Sequence, residues 1–254
     1  MARIQTRDVT IIMQDGLSGT ASVDDIAGII DTDTDIDIDF TGTGDGLNTD
    51  LVNKVPVGAR FTIPGGDGTI YTVTATTEAA DVTTNIVWTP AADASNVCAD
   101  DAQLTFLPQQ VEVKLGDGDL TWTEAREFLY DLDRDVLDAV RQGADQPMSV
   151  DLASVFEYVS AESGNPPTPR DIVYREGEAS EWVSSDADQC NPYAIDILVR
   201  HCVPCGTDQD SEILLPDFRA ESMDFSIQDA TISFSGQCNA TKATITRSTN
   251  TECA

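Results

Sequence analysis

Apolar and polar positions alternate along most of the 254-residue chain. A two-residue period is the signature of a strand with one buried face. The clearest case is 31–40, DTDTDIDIDF: carboxylates occupy the odd positions, and Ile36, Ile38 and Phe40 share the other face. The N-terminal run Val9 to Met13 reads as a strand ending at the turn Asp15-Gly16. Phe61 and Ile63, then Ile70, Tyr71 and Val73, flank Pro64-Gly65-Gly66-Asp67-Gly68 and predict a hairpin. Ile86 to Trp88 and Leu104 to Phe106 read as further strands.

From about 111 the pattern is less uniform. Val111, Val113 and Leu115 alternate up to a turn at 116–119. Leu120, Trp122, Phe128, Tyr130 and Leu132 share one face of a strand, while Ala125, Phe128, Leu129, Leu132, Val136 and Val140 fall at helical spacing. Periodicity alone leaves that choice open. Segment 134–142 reads as a helix, with Asp133 as cap, Val136, Leu137 and Val140 as its stripe, and Gly143 as its stop. Met148, Val150, Leu152, Phe156 and Tyr158 predict a long strand. A loop is expected over 160–170, where Pro166, Pro167 and Pro169 cluster, and strands resume at 193–199, 223–227, 232–238 and 243–246. The fold class expected is mainly β: an antiparallel β-sandwich or open barrel with one flanking α-helix. The stretch 24–109, dense in Thr, Gly and Asp, reads as a separate small β unit.

Charge narrows the function. Forty-five acidic residues oppose 14 basic ones, for a net charge of −31; 33 of the acids are Asp and only three bases are Lys. Such a surface repels nucleic acid, and no basic stripe interrupts it. Persistent apolar alternation argues against disorder. Abundant Asp and Thr with scarce Lys fit a folded protein in high salt, where screening relieves self-repulsion. No apolar run is long enough to predict a membrane helix, and the N-terminus lacks the pattern of a signal peptide. Assembly in a cytoplasm is the expectation.

Four cysteines make the one cluster with ligand chemistry. Cys202 and Cys205 form a C-x-x-C pair, flanked at long range by Cys190 and Cys238. Thiolates of this kind hold a structural tetrahedral zinc, pair as two disulfides, or stay as buried free thiols. Cys98 and Cys253 lie apart from that set. His201, the single histidine, is the sole candidate base for a catalytic triad, and no nucleophile elbow accompanies it. No catalytic residue and no cofactor other than that possible zinc is expected. Asp31, Asp33 and Asp35 open like a calcium loop, but Ile36 and Gly42 stand where the loop needs Gly and Glu, so a solvated strand face is the expectation.

Several ordered segments resemble the major tail tube protein of long-tailed, non-contractile viruses. They are VTIIMQDG at the start, VEVKLGDGDLTWTEAREFLYDLDRDVLDAVRQGADQPMSVDLASVFEYV, PPTPRDIVYREGEASEWVSSDADQCNPYAIDILV, and LPDFRAESMDFSIQDATISFSGQCNATKATITR. Together they cover roughly two thirds of the chain; their order is specific, no single one is. The resemblance implies packed antiparallel sheets flanked by a helix, with 119–132 a strand and 134–142 the helix. It implies no enzymatic activity. It implies a homo-hexameric ring that stacks into a virion tail tube, meets tail terminator and tail tip proteins, and passes viral DNA through its lumen without specific binding or membrane contact. The family's first strand runs soon into the segment matching 111–115, so residues 1–23 and 110–254 are expected to form the tube domain, and 24–109 an inserted β domain on its outer surface. A tail decoration or host receptor-binding protein using that inserted domain is the competing expectation.

Overall fold

The computed structural model describes residues 9–48, 53–80, 82–116, 118–133, 136–155, 167–188, 190–203 and 209–248. The chain is mainly antiparallel β and divides into two compact units. One comprises Met1–Gln14, Val111–Glu178 and Cys190–Ala254; the other comprises Asp15–Gln110 and Ala179–Gln189. The second unit therefore begins at Asp15 and not at 24, and it recruits a segment from far along the chain.

This second unit is a barrel. Its strands are β2 (Gly19–Val23), β3 (Asp35–Asp39), β4 (Gly46–Leu47), β5 (Arg60–Thr62), β6 (Ile70–Ala79), β7 (Val82–Thr89) and β8 (Gln103–Leu107). They pair in the order β3-β7-β6-β5-β8-β2, and β2 pairs again with β3, so six antiparallel strands close on themselves. Closure removes the sheet edges that would otherwise invite pairing. Alternation fills the interior: Ile36 and Ile38 are buried while Asp35 and Asp37 face solvent. The expected hairpin around 64–68 forms, with Phe61 opposite Tyr71. Phe61 stacks on Tyr71 at 5.5 Å between centroids and meets Trp88 edge-on at 5.6 Å, with Phe106 at 5.8 Å.

A buried carboxylate ties three parts of this unit together. Asp15 is fully buried. Its Oδ1 accepts from the backbone N–H of Gln109 at 2.7 Å and of Leu17 at 3.1 Å. Its Oδ2 accepts from Gln109 Nε2 at 3.1 Å and from the Val183 N–H at 3.3 Å. Gly16 N–H donates to the Val183 carbonyl at 3.1 Å. Val183, from the recruited segment, joins the barrel's apolar core. Burial pushes the Asp15 carboxyl up to about 6, against the downward pull of its four N–H donors.

The first unit is built on an eight-stranded sheet. Its strands are β1 (Val9–Gln14), β9 (Gln110–Val113), β10 (Leu120–Thr123), β13 (Met148–Val155), β14 (Ile195–His201), β15 (Asp210–Ser226), β16 (Thr231–Cys238) and β17 (Thr244–Ser248). The order is β10-β13-β16-β15-β14-β1-β9, with β17 paired to β15. Register puts like with like: Met148 lies opposite Cys238, Val150 opposite Gly236, and Leu152 opposite Phe234, all on the buried face. Strand β15 is longer than its apolar pattern predicts because it passes Pro216 at a bulge. Two residues, Pro216 and Asp217, there oppose the single Asp196, and the Asp217 N–H donates to Asp196 Oδ1 at 2.9 Å. A bulge is where a strand tolerates proline.

Two sequence expectations fail here. Segment 134–142 is not a helix. Residues 134 and 135 lie outside the described residues, and from Val136 the chain is a strand, β12 (Val136–Asp145), paired with β11 (Arg126–Asp133). Gly143 carries no left-handed φ, so it makes no helix stop; it lies under the Glu127 side chain, which an added Cβ would meet at 2.6 Å. Cross-strand pairing of the period-2 apolar set wins over the helical stripe. The helix observed is α1 (Pro169–Tyr174), begun inside the expected loop. Thr168 caps it, Pro169 occupies its first turn, and Asp171 completes a reciprocal capping box. Residues 156–166, including Phe156, Tyr158, Pro166 and most of the expected loop, lie outside the described residues.

Candidate assembly surface

The β11–β12 hairpin is a separate two-stranded sheet. Tyr130 lies opposite Val140, Phe128 opposite Gln142 and Leu129 opposite Arg141. Residues directly opposite in an antiparallel pair share a face, and successive residues alternate. One face therefore collects Phe128, Tyr130, Leu132 and Val140. These are 49%, 62%, 64% and 50% exposed. The other face carries Leu129, Asp131 and Arg141, the last two joined by an ion pair at 2.8 Å. That pair is solvent-exposed and adds little stability.

The base of the hairpin is better anchored. Glu127 Oε2 accepts from the Ala144 N–H at 3.2 Å, and Glu124 Oε1 accepts from the Ala243 N–H at 2.9 Å. A cleft of about 250 Å³ opens beside it, lined by Arg126, Phe128, Gln142 and Asp145 and by the turn at Thr241 and Lys242. An apolar tip on a fixed base is a surface shaped for contact, since an isolated hairpin is marginal in water and clustered exposed apolar groups mark interaction sites.

The sheet of the same unit offers a second element. Strand β14 reaches only to the partner of Phe218, so beyond that residue one edge of β15 faces no strand among the described residues. That leaves about eight residues of edge, roughly 26 Å at ~3.3 Å per residue. Phe225 and Ile227 lie at its far end, 50% and 96% exposed.

Among the described residues, Cys202 and Cys238 lie apart. Cys202 follows β14 and is disulfide-bonded. Cys238 ends β16, is buried, and has its thiol pushed up to about 12 by burial, with Asp196 and Asp217 adding to the shift. Cys238 lies opposite Phe218 of β15, whereas His201, beside Cys202, lies opposite Ser211. Seven residues of strand separate those positions, roughly 23 Å. A tetrahedral zinc needs thiolates about 2.3 Å from one ion, so Cys202 and Cys238 cannot share it. Cys190 is exposed, and Cys205 and Cys253 lie outside the described residues. Among the described residues, no three His, Cys, Asp or Glu side chains form a metal-holding group. His201 ends β14 opposite Val9 and Ser211, as a strand-end residue.

The apolar hairpin face was half legible: Phe128, Tyr130 and Leu132 at period 2 are its signal, obscured by the competing helical spacing. No helix among the described residues is long and apolar enough to cross a membrane. No family model, no curated protein and no solved structure matches the chain.

Proposed function

We propose that this chain is the repeating subunit of the tail tube of a long-tailed, non-contractile virus of a high-salt host. Six copies close into a ring, rings stack, and viral DNA leaves through the lumen. The observation that carries the reading is the hairpin face of Phe128, Tyr130, Leu132 and Val140, an apolar stripe whose side chains are each about half or more exposed. A neighbouring copy covers it in a head-to-tail ring, which closes when the rotation between copies divides a full turn. The ordered sequence segments resemble that family; the flanking helix implied at 134–142 gives no support, since from Val136 that segment is a strand.

The charge suits a conduit that must not hold its cargo. Six copies at −31 carry 6 × −31 = −186. Carboxylates on the lumen wall repel phosphates over a Debye length, about 8 Å in physiological salt and about 3 Å at 1 M. In brine, therefore, most of the acidity serves solubility. The chain performs no chemistry in this reading. The barrel is an addition that ring formation does not require.

Negative-stain microscopy of the purified chain in molar salt tests the proposal. Six-fold rings or stacked tubes are expected, and Tyr130→Ser with Leu132→Ser abolishes them. Dispersed monomers or trimers of the unmodified chain contradict it.

A further inference from the structure

The barrel unit carries an apolar patch that its own fold does not use. Segments 24–33 and 92–101 run side by side. Ile29 and Cys98 are antiparallel partners, each donating its N–H to the other's carbonyl at 3.0 and 3.1 Å. Thr32 N–H donates to the Ala92 carbonyl, and Ala92 N–H to the Asp33 carbonyl, both at 2.8 Å. Ile29 is buried and Cys98 packs against the barrel core. The next residue on each segment points the other way. Ile30 and Val97 therefore emerge together, 53% and 45% exposed, and Ile26 stands 95% exposed on the turn where Asp25 Oδ1 accepts from the Ala27 N–H at 2.9 Å.

The surroundings of this patch have one sign. Segments 24–33 and 92–101 hold seven aspartates and no lysine, arginine or histidine. Asp24, Asp25 and Asp31 directly flank the two exposed isoleucines. The same patch on a second copy, a nucleic acid or an anionic membrane would each bring like charge against that rim. We infer that the Ile26–Ile30–Val97 patch docks a partner protein whose contact surface has an apolar centre ringed by lysine or arginine. The rim steers and orients that partner, and the three apolar side chains supply the desolvated centre. The inference stands independently of the tail tube reading, since it uses no assembly contact.

The probe is a synthetic 14-residue amphipathic helix with a leucine stripe flanked by lysines. Its binding to the full-length chain is followed by fluorescence anisotropy, at the lowest salt where circular dichroism shows the native fold. Two control peptides replace leucine by serine or lysine by glutamate. The lysine–leucine peptide is expected to bind at least about tenfold more tightly than either control, and Ile26→Ser with Ile30→Ser removes that advantage. Both substituted side chains are exposed, so the variant retains the fold. Equal binding of the serine peptide, or undiminished binding by the variant, reduces the effect to net charge and overturns the inference. Absence of binding by the lysine–leucine peptide overturns it as well.

Discussion

The Asp15 carboxylate makes the barrel's stability depend on pH in a direction opposite to that of a salt-bridged acid. Its side chain is fully buried, and burial raises its titration from 3.8 to about 6. The folded form thus takes up a proton, between pH 6 and 4, that the unfolded chain binds only nearer 3.8. The stabilising contribution is fully present below the unfolded value and is lost as pH rises through about 6. A shift of that size is worth about 3 kcal/mol at ~1.4 kcal/mol per pH unit. Asp15→Asn keeps the shape and removes the titration, so the comparison of the two proteins isolates this group from the many other carboxylates. Urea unfolding at pH 4 to 7, followed by tryptophan fluorescence, measures it; Trp88 and Trp182 are both buried in this unit. The stability difference between wild type and variant should move by about 2 kcal/mol across that range, against the wild type at the higher pH. High salt should leave the shift nearly intact, because a buried group is poorly screened. A difference that stays flat within about 0.5 kcal/mol would refute a buried carboxylate with a raised titration at this position.

Other perturbations follow from single residues. Gly28 has φ +65°, and a Cβ there would meet the Cys98 carbonyl oxygen at 2.1 Å; Gly28→Ala should destabilise the barrel by about 2 kcal/mol in the same unfolding assay. Phe61→Ala, at the centre of the aromatic cluster, should cost about 3–5 kcal/mol, and a loss below 1 would mean that the barrel interior is loosely packed. Dialysis against a chelator should leave the melting temperature unchanged, since Cys202 and Cys238 lie far apart on their sheet. Stoichiometric zinc whose removal unfolds the chain would contradict this.

What the sequence made legible was local. DIDID at 35–39 alternates cleanly because one face is buried and the other is wet, and the strand forms there, although 31–34, read as part of it, is turn and coil. The turn around 64–68 announces the β5–β6 hairpin through its glycines. Segment 126–145 misled because the same apolar residues satisfy both periods, and only pairing with a partner strand decides between them. The helix at Pro169 was within reach: Thr168 and Asp171 are spaced as a capping box around a first-turn proline, yet three prolines in four residues read as loop. The recruitment of Val183 by Asp15, 168 residues away, has no local signature. The separation of Cys202 from Cys238 likewise depends on register between distant strands, which a count of thiols does not carry.

Copies of this chain are proposed to close into six-membered rings. Light scattering in molar salt measures the mass of the species directly. The expected mass is 6 × 27.3 kDa = 164 kDa, or multiples of it as rings stack, collapsing to 27.3 kDa when Tyr130→Ser and Leu132→Ser strip the hairpin face. A wild-type mass of 27.3 kDa at every concentration, or assembly untouched by those substitutions, would contradict it.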